Sequence, residues 1–155
     1  LPQPADTVAG ILQLITFSVG AQEFAINALE VDQVLVPLPV TRLPHSPEYV
    51  SGVITHRGQV LPVIDMRRRL RLPPSEATQE TSMIAIRTRG LAASLLVDRV
   101  TGFLKVAAHD ISFQNLAGSD SFVTGIALPG DSPKTVLDLH RLIDPTGQRQ
   151  AVRSS

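Results

Sequence analysis

The sequence predicts an all-β protein with a few short helices, built as two related halves. Three observations carry this. Short runs of β-branched and aliphatic residues recur along the chain, each bounded by glycine, proline or a polar pair, and together they amount to roughly nine or ten strands. No ten-residue stretch has a convincing helical period. Three short segments also occur twice in the same order. Tyr49-Val50-Ser51-Gly52-Val53 is echoed by Phe122-Val123-Thr124-Gly125-Ile126, Ile64-Asp65-Met66 by Leu137-Asp138-Leu139, and Val31-Asp32-Gln33-Val34 by Val97-Asp98-Arg99-Val100. The first two pairs share one offset and the third has a slightly shorter one. The expectation is two small barrels of about five strands each, packed together.

Taken in order, residues 1–10 are rich in proline and polar groups and are expected to be disordered. Ile11 to Val19 and Glu23 to Ile26 are strands around a turn at Gly20. Asn27 is placed to cap one turn through Ala28-Leu29-Glu30-Val31. Val34 to Val40 returns to strand character, but Pro37 and Pro39 confine it to an edge or a bulge. Ser46 is a candidate cap for a turn over 47–50. Gly52 to Leu72 then reads as a hairpin and a short basic helix. Thr55-His56-Arg57-Gly58 makes the turn, and Asp65 sits at the N-cap of Met66-Arg67-Arg68-Arg69-Leu70. Residues 75–81 are a surface connection. Ser82 to Thr88 and Leu91 to Val97 form a hairpin around Arg89-Gly90, and Val100 to Val106 is a strand. A turn falls at His109-Asp110. Phe122 to Leu128 and Thr135 to Leu137 flank a turn at Pro129-Gly130-Asp131. Asp138 caps a turn through Ile143, and residues 145–155 read as a flexible tail. The single domain thus spans 11–144. Its first barrel is expected over about 18–80 and its second over about 81–144, with 11–17 available to pair with the second.

Composition narrows the function classes. The chain has 155 residues, of which 43% are hydrophobic, enough for a real core. Fourteen basic residues balance 14 acidic ones, which argues against a general affinity for nucleic acid or anionic membrane. There is no cysteine, which removes disulfides, thiol catalysis and thiolate metal sites and fits the cytosol. No apolar run approaches the ~18 residues of a membrane span. The four histidines, His45, His56, His109 and His140, have no metal-ligand spacing. No nucleotide-binding glycine motif or serine elbow is present. No catalytic residue, cofactor or metal is therefore expected. Asp65, Asp98 and Asp138 read as caps and turn formers. The run Arg67-Arg68-Arg69 with Arg71 reads as the solvated face of a short helix whose Met66, Leu70 and Leu72 point inward, in preference to a patch for phosphate or an acidic partner.

Arg57 needs its own explanation. A guanidinium at the tip of so apolar a hairpin either ties two loops together through buried acceptors or is presented to a partner. The residues leave both readings open.

Gly52 to Arg67, with the pattern G-V-I-x-x-R-G-x-V-L-P-V-I-D-M-R, resembles the signature of the CheW-like chemotaxis coupling proteins. Phe24 to Val34 and Leu95 to Val100 resemble two further segments of that family, in order and spacing. The resemblance covers about residues 11–144. It implies two packed five-stranded SH3-like barrels and a non-enzymatic adaptor that joins the cytoplasmic tip of chemoreceptors to the regulatory domain of the histidine kinase CheA, within membrane-associated arrays. It also implies contacts with other CheW-like domains. The alternative it leaves is a CheW-like regulatory domain of a CheA-type kinase, or a coupling protein fused to a receiver. Carried onto this chain, the family's partner-binding positions are Val31, Gly52, Arg57, Gly58 and Val100, with His56 and Asp98 as secondary candidates. Thr55-His56 and Ala93-Ser94 depart from the family pattern near the presumed groove.

Overall fold

A computed structural model of the chain describes residues 7–8, 10–112, 122–128 and 132–143. Twelve strands lie among these residues: β1 (Thr7–Val8), β2 (Ile11–Val19), β3 (Gln22–Asn27), β4 (Val31–Leu35), β5 (Val50–His56), β6 (Gln59–Asp65), β7 (Ser82–Thr88), β8 (Leu91–Val97), β9 (Arg99–Ala107), β10 (Ile111–Ser112), β11 (Val123–Ala127) and β12 (Lys134–Leu137). Two short helices, α1 (Met66–Arg69) and α2 (Leu139–Ile143), follow β6 and β12. The all-β expectation holds. The strand count is higher because β1 and β10, two residues each, are too short to leave a pattern. β1 corrects the expected disorder at Thr7 and Val8; residues 1–6 and 9 lie outside the described residues. Thr7 and Val8 pair with Leu12 and Ile11 across a turn in which Gly10 takes φ +78°, a conformation glycine adopts freely. The tail over 145–155 and the turn at 129–131 lie outside the described residues.

Five strands form one sheet in the order β4-β7-β8-β6-β5. Pro37 and Pro39 end β4, as their missing N–H groups require. The chain then returns at Thr41 to exchange two 2.8 Å backbone hydrogen bonds with Val53 of β5, which closes the sheet into a barrel. The other sheet runs β9-β2-β3-β12-β11. Here β9 continues through a 3-10 turn over Ala108–Asp110 into β10, and β10 pairs with β11 to close the ring. The two barrels share one plan. In each, a hairpin (β7–β8 or β2–β3) lies parallel to the last strand of a second hairpin (β6 or β12).

The repeated segments take equivalent places. The Asp65 N–H donates to the Tyr49 carbonyl at 2.8 Å, and the Asp138 N–H to the Phe122 carbonyl at 2.7 Å. Asp65 caps α1 through the Arg67 and Arg68 N–H groups, and Asp138 accepts from the Arg141 N–H in α2. The hairpins have matching irregularities, at Val50/Gly52 and Val123/Gly125.

The barrels do not divide near residue 80, where the sequence suggested. Residues 82–97 belong with β4–β6, and residues 11–27 with β9–β12. The connectors explain this. Only Asp98 separates β8 from β9, and a strand cannot double back on its predecessor through one residue, since a hairpin needs at least two. The chain crosses instead, and β9 pairs with β2 from Ile11↔Ala107 to Ser18↔Arg99. Between β3 and β4 a 3-10 turn over Ala28–Glu30, capped by Asn27, makes the same crossing. The leading hairpin of each half thus sits in the other half's barrel.

Each barrel has its own small core: Leu12, Leu14, Val106 and Val136 in one, Ile54, Leu61, Val63 and Met83 in the other. The largest cluster is shared between them. Phe17, Val19, Phe24 and Ile26 meet Ile64, Ile84, Ile86 and Leu95, and the apolar faces of α1 and α2 close it with Met66, Leu139 and Leu142. Burying this face is what holds the barrels together. Ser46 does not cap the following turn. Its hydroxyl donates back to the Leu43 carbonyl at 3.1 Å.

Candidate partner-binding site

The β5–β6 hairpin turns through two residues, with His56 paired to Gln59. Arg57 has φ +52° and Gly58 φ +74°. Positive φ at both central residues is the signature of a type I′ turn, which suits the twist of the flanking strands and normally selects Asn, Asp or Gly. For arginine this left-handed backbone costs about 1–2 kcal/mol. The Arg57 side chain is exposed and makes none of the hydrogen bonds or ion pairs formed among the described residues. It does not tie loops together. A Cβ on Gly58 would meet open space, so only its backbone angle demands glycine there. Beside the tip, the Nε2 atom of His56 is buried with no hydrogen-bond partner.

Gly52 works differently. A Cβ on it would run into the Thr41 carbonyl, and Val40 Cγ1 lies 2.8 Å from that point. Its φ is +153°. Gly52 therefore permits the close approach that shuts the first barrel, and it shapes the hairpin from within rather than touching its surroundings.

Val31 and Val100 are half-buried on the rim of the shared core. Val31 opens β4 opposite Ile86, and Val100 lies in β9 opposite Phe17. One valine thus comes from each barrel. Asp98 sits at the crossing between them and is fully engaged. Arg67 Nη2 donates to its Oδ2 at 2.6 Å and Arg67 Nε to its Oδ1 at 3.0 Å, while the Gly20 N–H adds a 2.8 Å bond. Partial burial alone would push the Asp98 carboxyl up. The Arg67 and Gly20 hydrogen bonds and the Arg67 charge outweigh it and hold the group below the usual carboxylate range. The hydrogen bonds to Asp98 also raise Arg67 above its ordinary value. Asp98 thus clamps the β2–β3 turn to α1, and this occupies its oxygens.

The arginine run in α1 is a solvated face only in part: Arg68 is exposed, whereas Arg67 and Arg69 are half-buried. Arg67 also donates to the Pro73 carbonyl at 2.8 Å. Arg68 reaches the Glu48 carbonyl at 3.2 Å and lies 3.6 Å from Asp65. Arg69 lies between two rings, 4.6 Å from the centroid of Tyr49 and 4.4 Å from that of Phe122, and donates to the Leu142 carbonyl at 3.3 Å. Its burial lowers its pKa from the ordinary arginine value. Tyr49 and Phe122 are the two echoed aromatics, so Arg69 pins the halves together at equivalent points. Met66 points inward and Leu70 and Leu72 pack on the shared core, as expected.

Sequence reasoning missed the Arg69 stack, whose partners are distant in the chain. It also passed over Arg89, although the signal was present: Arg-Gly sits between two β runs at 57–58 and again at 89–90. No group of His, Asp and Glu among the described residues is arranged to hold a metal ion, and no helix among them is long and apolar enough to cross a membrane.

Comparison with known proteins gives this architecture a class. The structure titled "Crystal structure of scaffolding protein TtCheW from Thermoanaerobacter tengcongensis" superposes with a TM-score of 0.81 at 25% identity, covering 88% of this chain and 94% of that one. The fold is that of a signalling scaffold. The family model of the CheW-like domain matches residues 13–146, and the chain belongs to that family. It is 34% identical over 145 residues to the "Probable chemotaxis protein CheW" of Rhizobium etli, covering 92% of this chain and 94% of that protein. It is 38% identical over 117 residues to the "Chemotaxis protein CheW" of Rhizobium meliloti, covering 74% and 76%.

Proposed function

We propose that this chemotaxis scaffold is a non-enzymatic adaptor that joins the cytoplasmic tip of chemoreceptors to the regulatory domain of the histidine kinase CheA. The observation that carries the reading is Arg57. It is an exposed guanidinium with no hydrogen bond or ion pair among the described residues, held on a left-handed turn that disfavours it. Among the described residues the Arg57 side chain bonds to nothing inside the fold, which supports a contact outside it. Val31 and Val100 supply an apolar rim on either side of the barrel junction, and a helical hairpin laid along such a rim is an established mode of recognition. Gly52 and Gly58 belong to the site as the residues that set the hairpin's shape. His56, with its unpaired ring nitrogen, is a secondary contact. Asp98 acts through the clamp it makes with Arg67. The protein works in the cytoplasm at membrane receptor arrays, where other CheW-like domains pack beside it.

Arg57→Ala and Val31→Asp test this. Both variants are expected to keep the wild-type circular dichroism spectrum and to lose capture of CheA by a receptor cytoplasmic fragment. Undiminished capture by both would remove this face from the interface.

A further inference from the structure

The Arg57 turn has a twin. Arg89 and Gly90 connect β7 to β8 with φ +47° and +83°, between the paired residues Thr88 and Leu91. Arg89 is exposed, and like Arg57 it forms none of the hydrogen bonds or ion pairs among the described residues. A Cβ on Gly90 would meet nothing, as at Gly58. The same unfavourable residue thus occupies the first position of the same turn type twice.

The two turns lie at the same end of the first barrel. β6 and β8 run parallel, with Val63 beside Ser94 and Asp65 beside Leu96. That register, carried back toward their starts, brings Gln59 level with Gly90. Arg87, two residues before the second turn, donates from Nη2 to Gln59 Oε1 at 2.8 Å, immediately after the first turn. Two strand spacings separate the hairpins, roughly 10 Å. Among the described residues, two acids near this end already have partners. Asp32 lies 3.6 Å from Arg87, and Glu30, just ahead of β4, is itself engaged. Among the described residues, an end of the molecule with three arginines leaves two guanidinium groups without a partner, in a chain whose net charge is zero.

We infer that Arg57 and Arg89 form one two-pronged carboxylate site, and that its occupant is an acidic helical segment of a protein partner. Two guanidinium forks on rigid turns suit paired carboxylates, each fork donating to the two oxygens of one carboxylate. Their separation of roughly 10 Å corresponds to about seven residues along a helix face. Identifying that segment with part of the chemoreceptor or of CheA rests on the adaptor reading. The site itself does not.

The test uses the full chain and two probes. The first is a stabilised helical peptide with two glutamates seven residues apart, beside its glutamine twin. Side-chain Nε–Hε resonances of both Arg57 and Arg89 are expected to move with the acidic peptide and not with the glutamine one. Arg57→Asn and Arg89→Asn keep the turn geometry and are each expected to weaken binding about threefold to fivefold, in line with an exposed charge pair. An unmoved Arg89 resonance, or equal response to both peptides, would overturn the paired site. The second probe is a receptor cytoplasmic fragment. Both arginines answering the acidic peptide while wild-type chain ignores the receptor and CheA would uphold the site and sink the adaptor reading. A receptor interaction weakened by Arg57→Asn and untouched by Arg89→Asn would do the reverse.

Discussion

The arginines of α1 and those of the hairpin tips are the same residue in opposite circumstances. Arg67 and Arg69 are half-buried and bound on several sides: one grips Asp98, the other lies between Tyr49 and Phe122. Arg57 and Arg89 are exposed, without a partner among the described residues, and on backbone that disfavours them. The α1 run is the conspicuous basic cluster in the sequence, yet its charges serve the fold. The arginines at the two hairpin tips form no hydrogen bond or ion pair among the described residues, which leaves them available to a partner on the reading proposed above. Local charge density is therefore a poor guide to a binding surface. Whether a charge is answered inside the molecule is the better one.

This contrast can be broken most severely in the body of the Arg57 hairpin. Gly52→Ala drives a methyl into the Thr41 backbone at the barrel seam, and is expected to cost about 2–4 kcal/mol in denaturant unfolding. A smaller loss follows from Arg67→Ala, about 2–3 kcal/mol, because the half-buried Asp98 carboxylate keeps only the Gly20 N–H. Arg69→Ala is expected to cost about 1–2 kcal/mol through its two ring contacts. Arg69→Lys should recover only part of that, since an ammonium lacks the flat face that lies between the rings.

The clamp also has a pH signature. The folded Asp98 pKa lies below the ordinary value, so the unfolded chain takes up this proton first as pH falls. The contribution of Asp98 is complete above the unfolded value of about 3.9 and is lost as pH drops through the lower folded value. Unfolding midpoints of wild type and Asp98→Asn should therefore differ most near neutrality and converge in acid. A difference that persists below that range would mean the clamp is not electrostatic.

Smallest of all are the tips. Arg57→Asn and Arg89→Asn should leave stability within about 0.5 kcal/mol of wild type or raise it slightly, because asparagine tolerates the left-handed region better than arginine.

Much of the fold was legible. The strands alternate with strong turn residues, and the echoed segments mark two equivalent hairpins whose caps Asp65 and Asp138 do the same work. The partition into barrels was not legible. It depends on how few residues join β8 to β9, and strand patterns are silent about which sheet a strand enters. Of the candidate site residues, Arg57 stood out as a charge at the tip of an apolar hairpin, whereas Asp98, read as a turn former, clamps Arg67 and the Gly20 N–H across the barrel crossing. The Arg69 stack was out of reach because its rings come from Tyr49 and Phe122, far apart in the chain. Arg89 was within reach, as the second Arg-Gly between two strands.

The central claim is that Arg57 is kept for a partner and not for the fold. The direct measurement takes one preparation of Arg57→Asn and records both its denaturant midpoint and its affinity for a receptor cytoplasmic fragment. The account predicts a midpoint equal to or above that of wild type together with clearly weakened binding. Binding at wild-type strength, or binding lost only in step with a fallen midpoint, would contradict it.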